Sequence, residues 1–217
     1  MKNISANHLD NKNLEGDYLK LVQPIRKVAQ IKRMKEIASA RPRDICLLEM
    51  GFHTGLRVQD LLSLRISDIA KKSNGKWQIA RSYVINEQKT RKGKQVELVK
   101  SARDAIAKQI EALDACGMAA PEGWLFPSPY LKGVNPLSRR QAGRLIKNIA
   151  RRAGVTEPVA CHSLRKSFGY HAFRAGVDIM YLKEIFNHSD IGITKRYIGI
   201  TQDELNSVYQ RLGAIMA

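Results

Sequence analysis

No apolar run in the 217-residue chain approaches the roughly 20 residues needed to cross a bilayer. The N-terminus, Met1-Lys2-Asn3-Ile4-Ser5, carries no apolar signal segment, so the sequence predicts a cytoplasmic protein with no membrane partner. Cysteine is scarce. Cys46, Cys116 and Cys161 are widely spaced and odd in number, which excludes a disulfide framework and a zinc pattern. Three reduced, mostly buried thiols are expected. No carboxylate cluster or His-rich helix points to a metal, and no cofactor is expected. Gly93-Lys94 is followed by Gln95, so the phosphate-binding loop of nucleotide hydrolases is missing too. No internal repeat is visible.

Acidic residues are also in short supply: 20 Asp and Glu stand against 37 Lys and Arg, for a formal charge of +17 and a pI near 10.0. A charge of that size predicts attraction to a polyanion, and nucleic acid fits best. A membrane-surface helix is the competing use, but the cations are spread through the chain rather than gathered on one terminal helix.

Residues 1–23 are polar and weakly patterned, and read as a flexible arm. From Pro24 to Ala40, Ile25, Val28, Ile31, Met34 and Ile37 recur at helical spacing with cations on the other faces. Arg43 to His53 reads as a buried helix, and the turn Thr54-Gly55-Leu56 delivers Arg57 to the start of the next. Residues 76–99 change period: W-Q-I-A-R, S-Y-V-I-N-E-Q and Q-V-E-L-V have strand composition, around a basic turn K-T-R-K-G-K. Ser101 is the expected cap of a helix to about Leu113. Residues 121–136 form a Pro/Gly-rich loop whose Trp124 and Phe126 are expected in the core. Ser138 caps a helix in which Arg140, Arg144, Lys147 and Arg151 share one stripe, opposite Leu145, Ile146 and Ile149. With no acid between Arg139 and Arg152, that stripe is a phosphate-tracking face. The fold class is therefore mainly α with a small antiparallel β-sheet.

The richest stretch for chemistry runs from Cys161 to Tyr197. It holds a His-x-x-Arg pair (His162, Arg165), a second histidine (His188), and Tyr197 nine residues later. Ser163–Arg174 reads as a helix stopped at Ala175-Gly176. Asp178 can cap a second helix, and Ser189 or Asp190 a third that carries Tyr197. Thr201-Gln202-Asp203-Glu204 is a capping box opening a terminal helix. Three short helices with tight turns can bring His162, Arg165, His188 and Tyr197 to one surface.

If the polyanion is a DNA phosphodiester, its transition state needs cations on the non-bridging oxygens. Arginine suits that task through its permanent charge and its fork; Arg57 and Arg165 are the arginines at helix starts beside turns. A tyrosine nucleophile conserves the bond energy as a phosphotyrosine ester, so strands can be rejoined without a high-energy cofactor. A hairpin lysine, Lys89 first, with Lys92 and Lys94 sharing the turn, can protonate the departing 5′-oxygen. Asp60, three residues after Arg57 on the same helix face, can orient the cations. Each residue alone has a bland reading as a cap, core or surface group; their order and contexts together do not.

T-G-L-R-V-Q-D-L-L-S-L, H-S-L-R, N-H-S-D and the tyrosine nine residues later resemble the catalytic domain of the tyrosine recombinase (phage integrase) family, over about residues 24–217. The resemblance implies a mostly helical catalytic domain with a three-stranded sheet. The implied catalytic set is Arg57, Lys89, His162, Arg165, His188 and Tyr197, with Asp60 supporting it. Lys92 and the stripe Arg140, Arg144, Lys147 and Arg151 are the expected DNA contacts. It further implies a 3′-phosphotyrosine intermediate and a homotetramer on two double-stranded DNA sites. Residues 198–217 would be a tail exchanged between protomers. Two departures stand out. Residues before Pro24 are too few for the family's separate core-binding domain, so an accessory DNA-binding protein is a candidate partner. Asn187 replaces the glycine that commonly precedes the second histidine. The competing functions are a type IB topoisomerase-like relaxing enzyme and a non-cutting, sequence-specific DNA-binding protein.

Overall fold

Pro42 stands at the first turn of a helix, where its missing N–H costs nothing, and Gly55 ends that helix in the left-handed region at φ 61°. These two residues frame Pro42–Thr54 (α2), the central helix of the core. The computed structural model describes residues 22–86, 93–130, 133–200 and 202–216. Before α2 lies Val28–Ala38 (α1). After it come Val58–Leu62 (α3), Ile66–Ile69 (α4), strands Ala70–Ser73 (β1), Lys76–Ile79 (β2), Ser82–Asn86 (β3) and Gly93–Glu97 (β4), then Lys100–Ala115 (α5). Arg139–Arg152 (α6), Cys161–Arg174 (α7), Ile179–Phe186 (α8), Ile191–Ile198 (α9) and Gln202–Met216 (α10) complete the described elements. The fold is mostly helical with small antiparallel β-structure, as the patterning implies.

The expected three-stranded sheet is instead two separate hairpins, β1–β2 and β3–β4. β1 was missed because Ala-Lys-Lys-Ser has no strand composition. Its signal is the two-residue turn Asn74-Gly75, both at positive φ (49° and 75°), as a type I′ hairpin requires. In the second hairpin Ser82 faces Glu97 and Asn86 faces Gly93, so Gly93 and Lys94 of the expected basic turn belong to β4 instead. Residues 87–92, which include Lys89 and Lys92 of that expected turn, lie outside the described residues, as do residues 1–21 of the expected arm and Thr201 of the expected capping box.

Other boundaries move for identifiable reasons. The helix expected from Pro24 starts at Val28, because the N–H of Ile25 donates to Ser167 Oγ at 2.7 Å and that of Gln23 to the Pro158 carbonyl at 3.0 Å. Val22 is 1% exposed, so the arm boundary at residue 23 is too late. Ser101 does not cap α5; it sits inside the helix and donates to Glu49 Oε2 at 2.9 Å. α7 begins two residues before Ser163, whose hydroxyl accepts the N–H of Ala160 at 3.2 Å. Phe126 is fully buried, but Trp124 is only half-buried beneath the Arg65 guanidinium, 3.1 Å from its ring centre. Of the thiols, Cys46 and Cys161 are buried and Cys116 is exposed.

One large core joins α1 to α7 and the hairpins. A smaller cluster of Leu182, Phe186 and Ile198, flanked by Phe168 and Tyr197, packs α8 and α9 onto α7. Gly169 makes that approach possible: a Cβ there would lie 2.6 Å from Ile198 and 2.7 Å from Phe186. No described helix is long and apolar enough to cross a membrane.

Candidate active site

α8 and α9 are eight residues each, too short to persist alone, so capping and packing define them. Asp178 accepts the N–H of Met180, and Asp190 accepts those of Gly192 and Ile193, as their sequence positions predict. α8 ends where Asn187 adopts φ 49°, ψ 49°. Asparagine tolerates the left-handed region better than most side-chain-bearing residues, so it can stand where glycine would serve. That reversal turns the chain from Phe186 straight to His188.

The carbonyl end of α8 gathers cations. Arg165, 3% exposed, donates through Nη2 to the Phe186 carbonyl at 2.8 Å and through Nη1 to that of Gly55 at 2.7 Å. Arg57, the residue before α3, reaches the same Phe186 carbonyl at 3.5 Å. Lys94 on β4 donates to the Ile185 carbonyl at 2.7 Å. A helix C-terminus carries partial negative charge, which offsets some of the repulsion among cations drawn together there. The Arg165 guanidinium also lies 4.6 Å from the Phe186 ring centre.

Tyr197 meets this group from α9. Its hydroxyl lies 3.4 Å from Nδ1 of His162, and its ring meets that of His188 edge-on, with centres 5.1 Å apart. Thr194 orients His188 through a 3.0 Å contact between Oγ1 and Nδ1. Burial raises the Tyr197 phenol pKa, while Arg165 and Arg57 pull it back. His162 is held down to about 4, first by burial and then by Arg139, Arg165, Lys166 and Arg57. The site therefore holds a neutral imidazole against a neutral phenol.

Arg57, His162, Arg165, His188 and Tyr197 are thus brought together. Asp60 is buried in α3, close enough to Tyr83 that its charge helps hold that phenol up, behind burial and Asp68. The basic stripe opens beside His162: a 570 Å³ cavity between α6 and the start of α7 is lined by Arg139, Arg140, Arg144, Lys147 and His162. Lys147 and Arg151 line the next hollow along the same helix. Thr194, Lys166 and Arg139 were missed by sequence reasoning. Thr194 had a signal, three residues before Tyr197 on the same helix face; the Gly55 and Phe186 carbonyls, being backbone, had none.

Comparison with known proteins follows the same outline. The sequence model of the phage integrase family matches residues 25–204. The chain is 32% identical over 196 residues to the probable integrase/recombinase YoeC of Bacillus subtilis (strain 168), spanning 90% of this chain and 99% of that protein. It is also 32% identical over 183 residues to the tyrosine recombinase XerD of Rhizobium meliloti (strain 1021), there spanning 84% of this chain and 55% of the relative, about half its length. Among solved structures, the XerA recombinase superposes with a TM-score of 0.69 at 22% identity, over 87% of this chain and 65% of that one. XerH bound to a palindromic difH substrate in a post-cleavage complex gives 0.66 at 18% identity, over 96% and 56%. These two are likenesses of fold.

Proposed function

The chain belongs to the phage integrase family, and from that membership we propose that it is a site-specific recombinase that cuts and rejoins double-stranded DNA through a 3′-phosphotyrosine. The observation that carries the reading is the Tyr197 hydroxyl 3.4 Å from a histidine nitrogen, beside two arginines that meet at one carbonyl.

Tyr197 attacks the scissile phosphorus, and its proton passes to the neutral ring of His162. Arg57 and Arg165 donate to the non-bridging oxygens, where charge develops. His188, steadied by Thr194, adds a donor on the same phosphate. The bond to the 5′-oxygen breaks as that oxygen takes a proton from Lys89, leaving a free 5′-hydroxyl and a phosphotyrosine. Attack by another 5′-hydroxyl reverses each step, so the phosphodiester count is conserved and no cofactor is consumed. Asp60 supports the cations from within α3.

Arg140, Arg144, Lys147 and Arg151 on α6, with Lys92 from the hairpin, neutralise the flanking phosphates. Residues 24–217 act as the catalytic domain and assemble as a tetramer on paired sites, α10 serving as the exchanged tail. Exposed Tyr209, Leu212, Ile215 and Met216 on α10 support that use. An accessory DNA-binding protein adds to the grip on DNA.

The test is a covalent trap. The chain is incubated with fragmented genomic DNA, without metal or nucleotide, and quenched in SDS. Wild type should retain DNA and Tyr197→Phe should not; sequencing the trapped ends gives the site. Relaxation of supercoiled plasmid lacking that site would identify a topoisomerase instead. Binding with no adduct, on a nicked suicide duplex of the trapped or native site, would sink the cutting mechanism.

A further inference from the structure

Residues Val22–Arg26, in neither helix nor strand, run against α7 and are tied at nearly every position. The Val22 carbonyl accepts Lys166 Nζ at 2.7 Å, and the Gln23 N–H reaches the Pro158 carbonyl at 3.0 Å. Ile25 donates to Ser167 Oγ at 2.7 Å, and its carbonyl lies 2.9 Å from His171 Nε2. Arg26 donates to the Gly199 carbonyl at 3.3 Å and lies 5.7 Å from the Tyr170 ring centre. Val22 and Ile25 are each 1% exposed, so the segment is part of the packed structure.

Two of these ties reach the tyrosine. Gly199 is the residue in the left-handed region (φ 75°) that ends α9, two positions after Tyr197. A guanidinium on its carbonyl fixes the frayed end of a helix of only eight residues, where cations are favoured. The fit is close, since a Cβ at Gly199 would lie 3.0 Å from Arg26 Nη2. Lys166, 5% exposed, stands between the segment and the nucleophile: its Nζ lies 5.3 Å from the Tyr197 ring centre while bonded to Val22. Burying an ammonium is costly unless other groups replace its water, and here a carbonyl and an aromatic face do so.

We infer that Val22–Arg26 is a strap that sets the position of Tyr197, with Arg26 and Lys166 as positioning residues; this rests on the reading of Tyr197 as nucleophile. Arg26 holds the far end of the tyrosine helix and Lys166 holds the ring, so loosening either lets the hydroxyl drift from His162 without removing any group that touches DNA. Arg26 also grips the junction where α10 begins, so the tail can be pulled toward a neighbour while the tyrosine helix stays anchored.

The test compares wild type, Arg26→Ala, Arg26→Lys and Lys166→Met in two arms. In the first, without DNA, amide hydrogen exchange over residues 194–200 should quicken about tenfold in Arg26→Ala, the loss expected from one charge-assisted hydrogen bond, with α2 unchanged. In the second, single-turnover cleavage of a nicked duplex carrying the trapped site should slow about tenfold at saturation, with the half-saturating concentration held. Arg26→Lys should recover part of both, and Lys166→Met should repeat the cleavage defect. Unchanged exchange in Arg26→Ala overturns the strap, as does cleavage and affinity falling together. A wild-type chain that forms no adduct sinks the recombinase reading, and the exchange arm still decides the strap.

Discussion

Arg57 and Arg165 converge on one acceptor: the Phe186 carbonyl lies 3.5 Å from Nη2 of the first and 2.8 Å from Nη2 of the second. Two like charges approach each other there because a helix end supplies the negative pole between them. Each guanidinium carries five N–H donors in a fixed fork, a geometry that suits a phosphate as well as a carbonyl.

Removing either arginine should therefore cost transition-state binding more than DNA affinity. Arg165→Ala is expected to slow adduct formation about 10³-fold and Arg57→Ala about 10²-fold, the range for losing a donor to a developing oxyanion. Arg165→Lys keeps the charge and loses the fork, so it should fall well short of wild type. Single-turnover trapping on the nicked duplex, with gel-shift affinity measured beside it, separates the two effects.

Proton transfer gives a pH signature. The His162 pKa is depressed to about 4 by burial and surrounding cations, and the base form is the active one, so kcat/KM should rise with pH through the region near 4 rather than near 6.5. Arg139→Ala removes one of those cations and should move the limb upward. A limb that stays at 6.5 in both proteins would show that His162 is not the base.

The leaving oxygen tests the lysines. A duplex with sulfur at the 5′-bridging position releases a thiolate, of pKa about 8.5, which needs no proton from the protein. Lys89→Ala should be slow on the oxygen duplex and restored on the sulfur one. Lys94→Ala should be impaired equally on both, since Lys94 holds the Ile185 carbonyl. Rescue of Lys94→Ala alone would transfer the acid's role to it.

Salt dependence reads the stripe. If Arg140 and Arg144 each neutralise a phosphate, the double alanine variant should reduce the slope of log K against log salt by about 1.8, or 0.9 per contact. Fluorescence anisotropy between about 50 and 200 mM salt covers the useful range. An unchanged slope would make the stripe a solvated face.

Stability carries its own acid signature away from the site. Glu49, buried on α2, is held at about 2 against an ordinary 4.5: burial alone would raise it, but hydrogen bonds from His53, Lys35 and Ser101 outweigh that. A depressed carboxylate stabilises the fold above its unfolded pKa and loses that contribution as pH falls from about 4.5 to 2. The stake is about 3 kcal/mol. Denaturant midpoints measured from pH 6 to 2 should fall less steeply in Glu49→Gln.

The grouping of Arg57, His162, Arg165, His188 and Tyr197 was legible in sequence, since Asp178, Asp190 and the His-x-x-Arg spacing carry local signals that the fold obeys. What organises them was not. Phe186 and Gly55 act through backbone oxygens, which no residue type advertises. Pro24–Lys27 kept helical periodicity yet stayed outside the helix, because Ile25 bonds to Ser167 and His171, more than a hundred residues away. Ser101 looked like a cap and is instead a partner of Glu49. The strand Ala70–Ser73 was hidden by its lysines, although Asn74-Gly75 announced the turn.

α8 is also a ruler. Its last two carbonyls set where Lys94, Arg57 and Arg165 stand, and its next two residues set where His188 stands. One residue added within it would rotate that end by about 100° and advance it about 1.5 Å, carrying both acceptors away from the three cations. The segment from Asp178 to His188 therefore tolerates changes of side chain on its outer face far better than any change of length. A library of single-residue insertions should show a sharp dead zone there, flanked by permissive turns at residues 176–177 and 154–157.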